Sequence, residues 1–244
     1  MKCLVLAAGL GSRLREISPS KPLTPVAGIP LVEHVIARAA IAGASEFVVV
    51  SGYRAEPLER FLRGLAARMG VAVTCVRVAD WTLPNGHSVL AGSQQIEGDY
   101  LLLMSDHLFD PQIALRLLET ADRRAAVTLA VDRQCSGPLI DLEDATKVET
   151  AAGRIVRIGK MLDRFDAIDT GVFLATPALA DAIRCAIAAG GEGSLSEGIQ
   201  RLADEGRARA SDIGGARWID VDSPRMLALA EAMAASDGLR GNAA

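Results

Sequence analysis

Several residue types are scarce in this 244-residue chain, and each scarcity closes off a class of protein. Basic charge is not in excess: 26 Lys and Arg stand against 30 Asp and Glu, for a net charge of -4. Nucleic-acid binding, which depends on a basic surplus, is therefore excluded. No apolar run approaches the roughly 20 residues of a bilayer crossing, and the stretch from Cys3 to Gly9 is too short for a signal peptide. A soluble, cytoplasmic chain without a membrane segment is expected. The four cysteines, Cys3, Cys75, Cys135 and Cys185, form no CxxC pair, which speaks against a disulfide framework or a zinc site. Two Trp, two Tyr and five Phe are too few to favour an aromatic cage for a quaternary ammonium group. Lysine is scarce too: Lys2, Lys21, Lys147 and Lys160 are the whole set among the 26 basic residues. What the chain does have is apolar bulk. Half of it is hydrophobic, which excludes intrinsic disorder and supports one sizeable core that buries roughly 70% of the unfolded surface.

Strand and helix patterns alternate. Lys2 to Ala7 is a continuous apolar run ended by Gly9 and Gly11, as in a buried strand. Pro30 to Ala42 carries a helical period, with Pro30 suited to the first turn and Gly43 beyond the last. Strands at Glu46 to Ser51, Val71 to Val78, Tyr100 to Met104 and Ala125 to Val131 are interleaved with helices at Glu56 to Met69 and Pro111 to Thr120. This rhythm predicts an α/β fold, Rossmann-like, with three αβα layers and a mostly parallel central sheet whose ligands lie beyond the carboxyl ends of the strands. After Asp132, Gly, Pro and acids fill Gln134 to Asp144. Thr146 to Glu149 and Arg154 to Ile158 then flank Ala151-Ala152-Gly153 as a hairpin, a β-rich insertion. A strand at Val172 to Leu174, helices at Pro177 to Ala189 and Ser194 to Glu205, a strand at Arg217 to Val221 and a helix at Pro224 to Ala235 complete the pattern. With no repeat or low-complexity linker, residues 1–244 read as a single domain with a frayed tail at 236–244.

The densest motif is Leu6-Ala7-Ala8-Gly9-Leu10-Gly11-Ser12-Arg13-Leu14, followed by Ser20-Lys21-Pro22-Leu23-Thr24-Pro25-Val26. Two glycines directly after a strand let backbone N–H groups approach phosphate oxygens, and Arg13 and Lys21 add positive charge, so the loop suits a polyphosphate. GxGxxG fails at Leu14, and GxxxxGK followed by Ser or Thr is absent. Two glycines alone would merely turn the chain beside solvated cations; the two charges and two stiffening prolines favour an anion site. Asp106 follows the strand Tyr100 to Met104, and Asp220 and Asp222 alternate onto one face late in the chain. Strand-end acids suit a hard cation such as Mg²⁺, which combines a few carboxylates with substrate phosphates. Equally, Asp106 would cap the turn after it, and Asp222, with Ser223 as rival, the helix near Pro224.

These motifs resemble a known family, the nucleotidyltransferases that activate sugar phosphates and small alcohol phosphates. Their signature is a strand, then LAAGxGxRL, then KPLxPVxGxPL, matched here through Leu6 to Leu14 and Lys21 to Leu31. The resemblance implies that Ala7, Ala8 and Gly9, after Leu6, line the base and ribose. It implies that Gly11 and the catalytic Arg13 and Lys21 hold the triphosphate, and that Asp106 and Asp220 bind Mg²⁺; Asp222, on the face of Asp220, is the further candidate ligand, open between that role and the cap. Nucleotidyl transfer brings two anions together, so further cations are needed on the acceptor side. Lys147 and Lys160 are the candidates, against the plainer role of solvated strand-edge charges, and the family's lysine after the hairpin favours Lys160 as the catalytic one. Asp169-Thr170-Gly171 resembles the family's Asn-x-Gly element beside acceptor hydroxyls; Asp169 suits a polyol, or only a local turn.

Pro84-Asn85-Gly86-His87-Ser88 is similar to the element of cytidylyltransferases for small alcohol phosphates. That sets Gly86, His87 and Ser88 near the nucleotide and His107 near the acceptor, although either histidine also suits a structural hydrogen bond. The runs Asp144 to Val148, Ile158 to Lys160, Phe165 to Gly171 and Trp218 to Asp222 are similar to the branch that uses CTP and inositol 1-phosphate. Residues 1–131 would then form a nucleotide-binding half and 132–235 an acceptor-binding half with the closing strand and helix. In that branch the domain is often fused to a membrane-embedded lipid-forming transferase, so a separate membrane CDP-alcohol transferase is the expected partner. The alternatives are choline phosphate, disfavoured by the few aromatics, a hexose 1-phosphate, and a silent nucleotide sensor, disfavoured by the retained Arg13, Lys21, Asp106 and Asp220.

Overall fold

A computed structural model describes residues 1–122 and 124–236; of the tail expected to fray, all beyond Ser236 lies outside the described residues. In chain order the first half contains β1 (Lys2–Ala7), β2 (Pro25–Val26), β3 (Ile29–Pro30), α1 (Leu31–Ile41), β4 (Glu46–Ser51), α2 (Ala55–Met69), β5 (Ala72–Arg77), α3 (Asn85–Ser93), β6 (Tyr100–Met104), β7 (His107–Phe109), α4 (Pro111–Thr120) and β8 (Val127–Asp132). The second contains β9 (Lys147–Ala151), β10 (Arg154–Gly159), β11 (Ala167–Ala175), α5 (Ala178–Ala188), α6 (Leu195–Asp204), β12 (Ala208–Asp212), β13 (Trp218–Asp220) and α7 (Pro224–Ser236).

Nine strands make one sheet in the order β5-β4-β1-β6-β11-β8-β12-β10-β9. The β5-β4-β1-β6 half is parallel throughout, but β11 runs antiparallel to both β6 and β8, so the sheet is mixed. The hairpin β9–β10 forms as expected, and β9 also pairs with the start of β11, stitching the insertion to the sheet on two sides.

Burial explains the layers. Every residue from Cys3 to Ala7 of β1 is buried, as a strand covered on both faces requires. Leu4, Leu6, Val50 and Leu102 point to one side, where Val89 of α3, Ile183 of α5 and Ile199 of α6 meet them. Cys3, Val5, Val49 and Leu103 point to the other, against Val35 of α1, Leu62 of α2 and Ile113 of α4. Each fully buried aliphatic side chain here contributes about 1.5–3 kcal/mol. A third, smaller core matters most for function: Leu14, Val26, Leu31, Leu108, Ile219, Val221 and Met226 cluster under α7. It ties the loop after β1, the β7 segment and the last strand into one body.

Candidate active site

The carboxyl ends of the strands are brought together by backbone pairing. The Ser105 N–H donates to the Leu6 carbonyl at 3.1 Å, carrying the chain just past the ends of β1 and β6. There β7 and β13 pair antiparallel with His107 opposite Asp220, and the Val221 N–H donates to the Asp106 carbonyl at 2.9 Å. Asp106 and Asp220, far apart in sequence, thus share one mouth.

The loop after β1 delivers its cations to the same place. Gly11 has φ 62°, and a Cβ on it would lie 2.4 Å from Lys21 Cβ, so only glycine lets the lysine stem cross the loop. The Lys21 ammonium forms an ion pair with Asp106 and lies 3.8 Å from Asp220. Arg13, held beside buried Leu14, reaches Asp222 at 2.5 Å and Asp144 at 2.6 Å, and Lys160 meets the other oxygen of Asp144 at 2.5 Å. A cavity of about 260 Å³ is lined by Lys21, Asp106, Asp144, Lys160, Asp169 and Asp220 among others, with Arg13 just outside it, joined to its wall through Asp144 and Asp222.

Mutual charge sets the ionisation. Burial disfavours the charged forms of Lys21 and His107, but the acids outweigh it. Lys21 is held above its ordinary value by Asp106 and Asp220. His107 is raised to about 10 by the charge and hydrogen bond of Asp220, then by Asp106 and the Thr170 carbonyl. It donates through Nδ1 to that carbonyl at 2.8 Å and lies 3.4 Å from Asp220 through Nε2. Asp222 is pushed up to about 6 by burial, then by the charge of Asp220 and the neighbouring Asp144 carboxylate. Asp144 is drawn well below the carboxylate range: burial opposes this, but hydrogen bonds from Lys160 and Arg13 prevail.

The structure brings Arg13, Lys21, Lys160, Asp106, Asp220 and Asp222 together, and with them Asp144, which sequence reasoning left as one residue of a longer run. Its significance is a tertiary contact that no local spacing signals. The cap reading of Asp222 does not hold, because Ser223 Oγ accepts from the Met226 N–H at 3.3 Å and caps α7. Asp169 does accept from the Gly171 N–H at 2.7 Å, as a local turn would, and both residues line the cavity. Gly171, at φ 75°, leaves room for the His107 ring, which a Cβ would meet at 2.3 Å. Thr170 is buried and donates to the Ala130 carbonyl at 2.7 Å. Lys147 donates to the Lys160 carbonyl at 2.9 Å and lies over the Phe165 ring, so it braces Lys160 and is not among the lining residues.

Leu6, Ala7 and Ala8 are buried at the end of β1, the Ala8 carbonyl accepts from the Tyr53 N–H at 2.9 Å, and Gly9 is exposed. Gly86 and Ser88 are buried in α3; Gly86 abuts the Gly193 carbonyl, and His87 Nε2 lies 3.0 Å from the Glu192 carbonyl. Asn85 accepts from the Leu195 N–H at 2.9 Å and does line the cavity. This motif therefore clasps α3 to the loop before α6.

The acids suit a hard divalent cation. Asp220 Oδ1 and both Asp222 oxygens are buried without an aligned hydrogen-bond donor, the approach of Arg13 to Asp222 being a charge contact only. Two groups of ligand atoms, Asp106 with His107 and Asp220, and Asp144 with Asp220 and Asp222, each lie within 4.8 Å of one another. Carboxylate oxygen is what such ions take.

The layered fold and its mouth of opposed charges define a nucleotidyltransferase. The chain belongs to the MobA-like NTP transferase domain family, whose model matches residues 3–205. Nucleotidyltransferases of this kind generally use a divalent metal. A bifunctional IPC transferase and DIPP synthase of Rubrobacter xylanophilus is 38% identical over 243 residues, 98% of this chain and 53% of that protein. The protein of the same name from Archaeoglobus fulgidus is 33% identical over 71% of this chain and 32% of its own length. The chain thus spans about half, or less, of these curated relatives. Among solved structures, the inositol-1-phosphate CTP transferase from T. maritima aligns with TM-score 0.86 and 27% identity, covering 100% of this chain and 97% of the other. UDP-glucose pyrophosphorylase, at 17% identity and TM-score 0.79 over 97% of this chain and 98% of its own, shares the fold. Among the described residues no helix is long and apolar enough to cross a membrane.

Proposed function

We propose that this domain transfers the cytidylyl group of CTP to inositol 1-phosphate, giving CDP-inositol and pyrophosphate. One observation carries the reading: Lys21 and Arg13 of the first loop meet Asp106, Asp220 and Asp222 at a cavity that also holds Lys160 of the insertion. The names of the relatives support the choice of substrates.

An oxygen of the acceptor phosphate attacks the α-phosphorus of CTP in line; one P–O bond forms, the α–β bridging P–O bond breaks, and pyrophosphate departs. The attacking phosphate is already largely ionised, so the chain's work is positioning and charge neutralisation. Arg13 and Lys21 hold the triphosphate, exchanging part of their contact with the acids for phosphoryl oxygens. Leu6, Ala7, Ala8 and Gly9 shape the base and ribose side, Gly11 lies with Arg13 and Lys21 at the triphosphate, and Gly86, His87 and Ser88 set the nucleotide from α3. Lys160 draws in the acceptor phosphate, Lys147 braces Lys160, and Asp169, Gly171 and His107 form the side facing the hydroxyls, with Thr170 buried behind them on the Ala130 carbonyl. Mg²⁺ is the ion for Asp106, Asp220 and Asp222; when bound it offsets phosphate charge and orients phosphate oxygens. Residues 1–131 serve the nucleotide and 132–235 the acceptor, in the cytoplasm, with a separate membrane CDP-alcohol transferase consuming the product.

Pyrophosphate release, measured over CTP, UTP, dTTP, ATP and GTP with a panel of acceptor phosphates that includes inositol 1-phosphate and glucose 1-phosphate, tests this. Turnover with CTP and inositol 1-phosphate is expected. Turnover only with UTP or dTTP and glucose 1-phosphate overturns it.

A further inference from the structure

Asp144 touches cations from both halves of the chain. Its Oδ2 lies 2.6 Å from Arg13 and its Oδ1 2.5 Å from Lys160. The carboxylate is presented from a tied loop, for the N–H groups of Asp144 and Ala145 both donate to the Asp141 carbonyl, at 3.1 and 2.7 Å. The two cations sit on long stems, 47% and 53% exposed, and Arg13 has a second anchor in Asp222 at 2.5 Å. Without Asp144, Arg13 keeps Asp222, but the bridge to Lys160 is lost and the two like charges push Lys160 away. One carboxylate, with four lone-pair sites, turns that repulsion into two attractive pairs.

We propose that Asp144 is a positioning residue that bridges Arg13 and Lys160 and fixes the distance between the nucleotide and acceptor cations, so that both phosphates are drawn to one point. This rests on the assignment of Arg13 to CTP and Lys160 to the acceptor. Asp144 itself needs no contact with either substrate.

The test is Asp144→Asn, which keeps the shape and removes the charge. In turnover with CTP and inositol 1-phosphate, kcat falls roughly tenfold to a hundredfold, as for an ångström-scale misplacement. KM rises for both substrates together, and Asp144→Glu restores part of kcat. A variant with wild-type kcat, or with only one KM altered, overturns the proposal. A second measurement needs no turnover: acetylation of Lys160 by acetic anhydride, followed by mass spectrometry with Lys2 as internal reference. Asp144→Asn accelerates Lys160 acetylation severalfold. Arg13→Met slows it, by leaving Asp144 to Lys160 alone, and has no effect in the Asp144→Asn background. An equal effect of Arg13→Met in both backgrounds sinks the bridge. A wild-type chain silent with CTP and inositol 1-phosphate sinks the substrate assignment instead, while the acetylation pattern still decides the bridge.

Discussion

Replacing Gly11 with alanine strikes the junction between the first loop and Lys21 without altering any charge. The φ of 62° at Gly11 costs an alanine about 1–2 kcal/mol. The new Cβ would lie 2.4 Å from Lys21 Cβ and 2.9 Å from Cδ, against about 3.5–4.0 Å for carbon atoms in contact. Lys21 has little room to yield: it opens a short 3₁₀ turn with Pro22 next, and its ammonium is paired with Asp106. Overpacking of this kind adds about 1–3 kcal/mol. The sum, about 2–5 kcal/mol, lowers the melting midpoint by about 5–15 °C for a chain of this size. Moving Lys21 by about 1 Å costs roughly a hundredfold in turnover. Gly9→Ala is the stability control, since nothing lies within 4 Å of its added Cβ and its φ is not left-handed; it should melt within about 0.5 kcal/mol of the parent. Thermal unfolding by circular dichroism and pyrophosphate release by both variants decide the matter. A Gly11→Ala protein that melts and turns over like the parent would refute the reasoning.

Asp106→Ala removes the carboxylate paired with Lys21 and should lower turnover roughly 100- to 1000-fold, with the fold unchanged by circular dichroism; near-normal turnover would exclude Asp106 from the reaction. Lys160→Ala should raise KM for the acceptor about 10- to 100-fold, the loss of one charge-assisted contact, with CTP affinity by calorimetry nearly constant; weakened CTP binding alone would place Lys160 on the wrong side. Burial holds Asp169 up at about 6, above the roughly 3.9 of an unfolded aspartate. Between those values the folded chain keeps a proton that the unfolded chain has released, so stability falls as pH rises from about 4 to about 6, by at most about 3 kcal/mol. Asp169→Asn removes that fall, and its melting advantage over the parent should grow across the same window; parallel melting curves would contradict this.

The parallel half of the sheet was legible because β1, β4 and β6 are apolar on both faces, a pattern that buried strands alone require. Residues whose structure depends on partners were not. β12 reads Ala208-Arg209-Ala210-Ser211-Asp212, with no β-branched residue, and is a strand through its pairing with β8. α3 carries Gly86 and Gly92 and buries Val89, too weak an apolar stripe to announce a helix. At the site, the charges on the glycine loop and at the strand ends were readable because their chemistry follows from position after a strand. The choice between Lys147 and Lys160, the cap at Ser223 in place of Asp222, and the bridge at Asp144 all turn on which side chain reaches which atom. Sequence spacing does not specify that.

A crystal structure with CTP and Mg²⁺ bound tests the central claim most directly. The triphosphate should lie against Arg13 and Lys21, with the ion held by Asp106 and Asp220 in the cavity that Lys160 borders. A triphosphate bound away from Gly11, or an ion held elsewhere, would contradict the account.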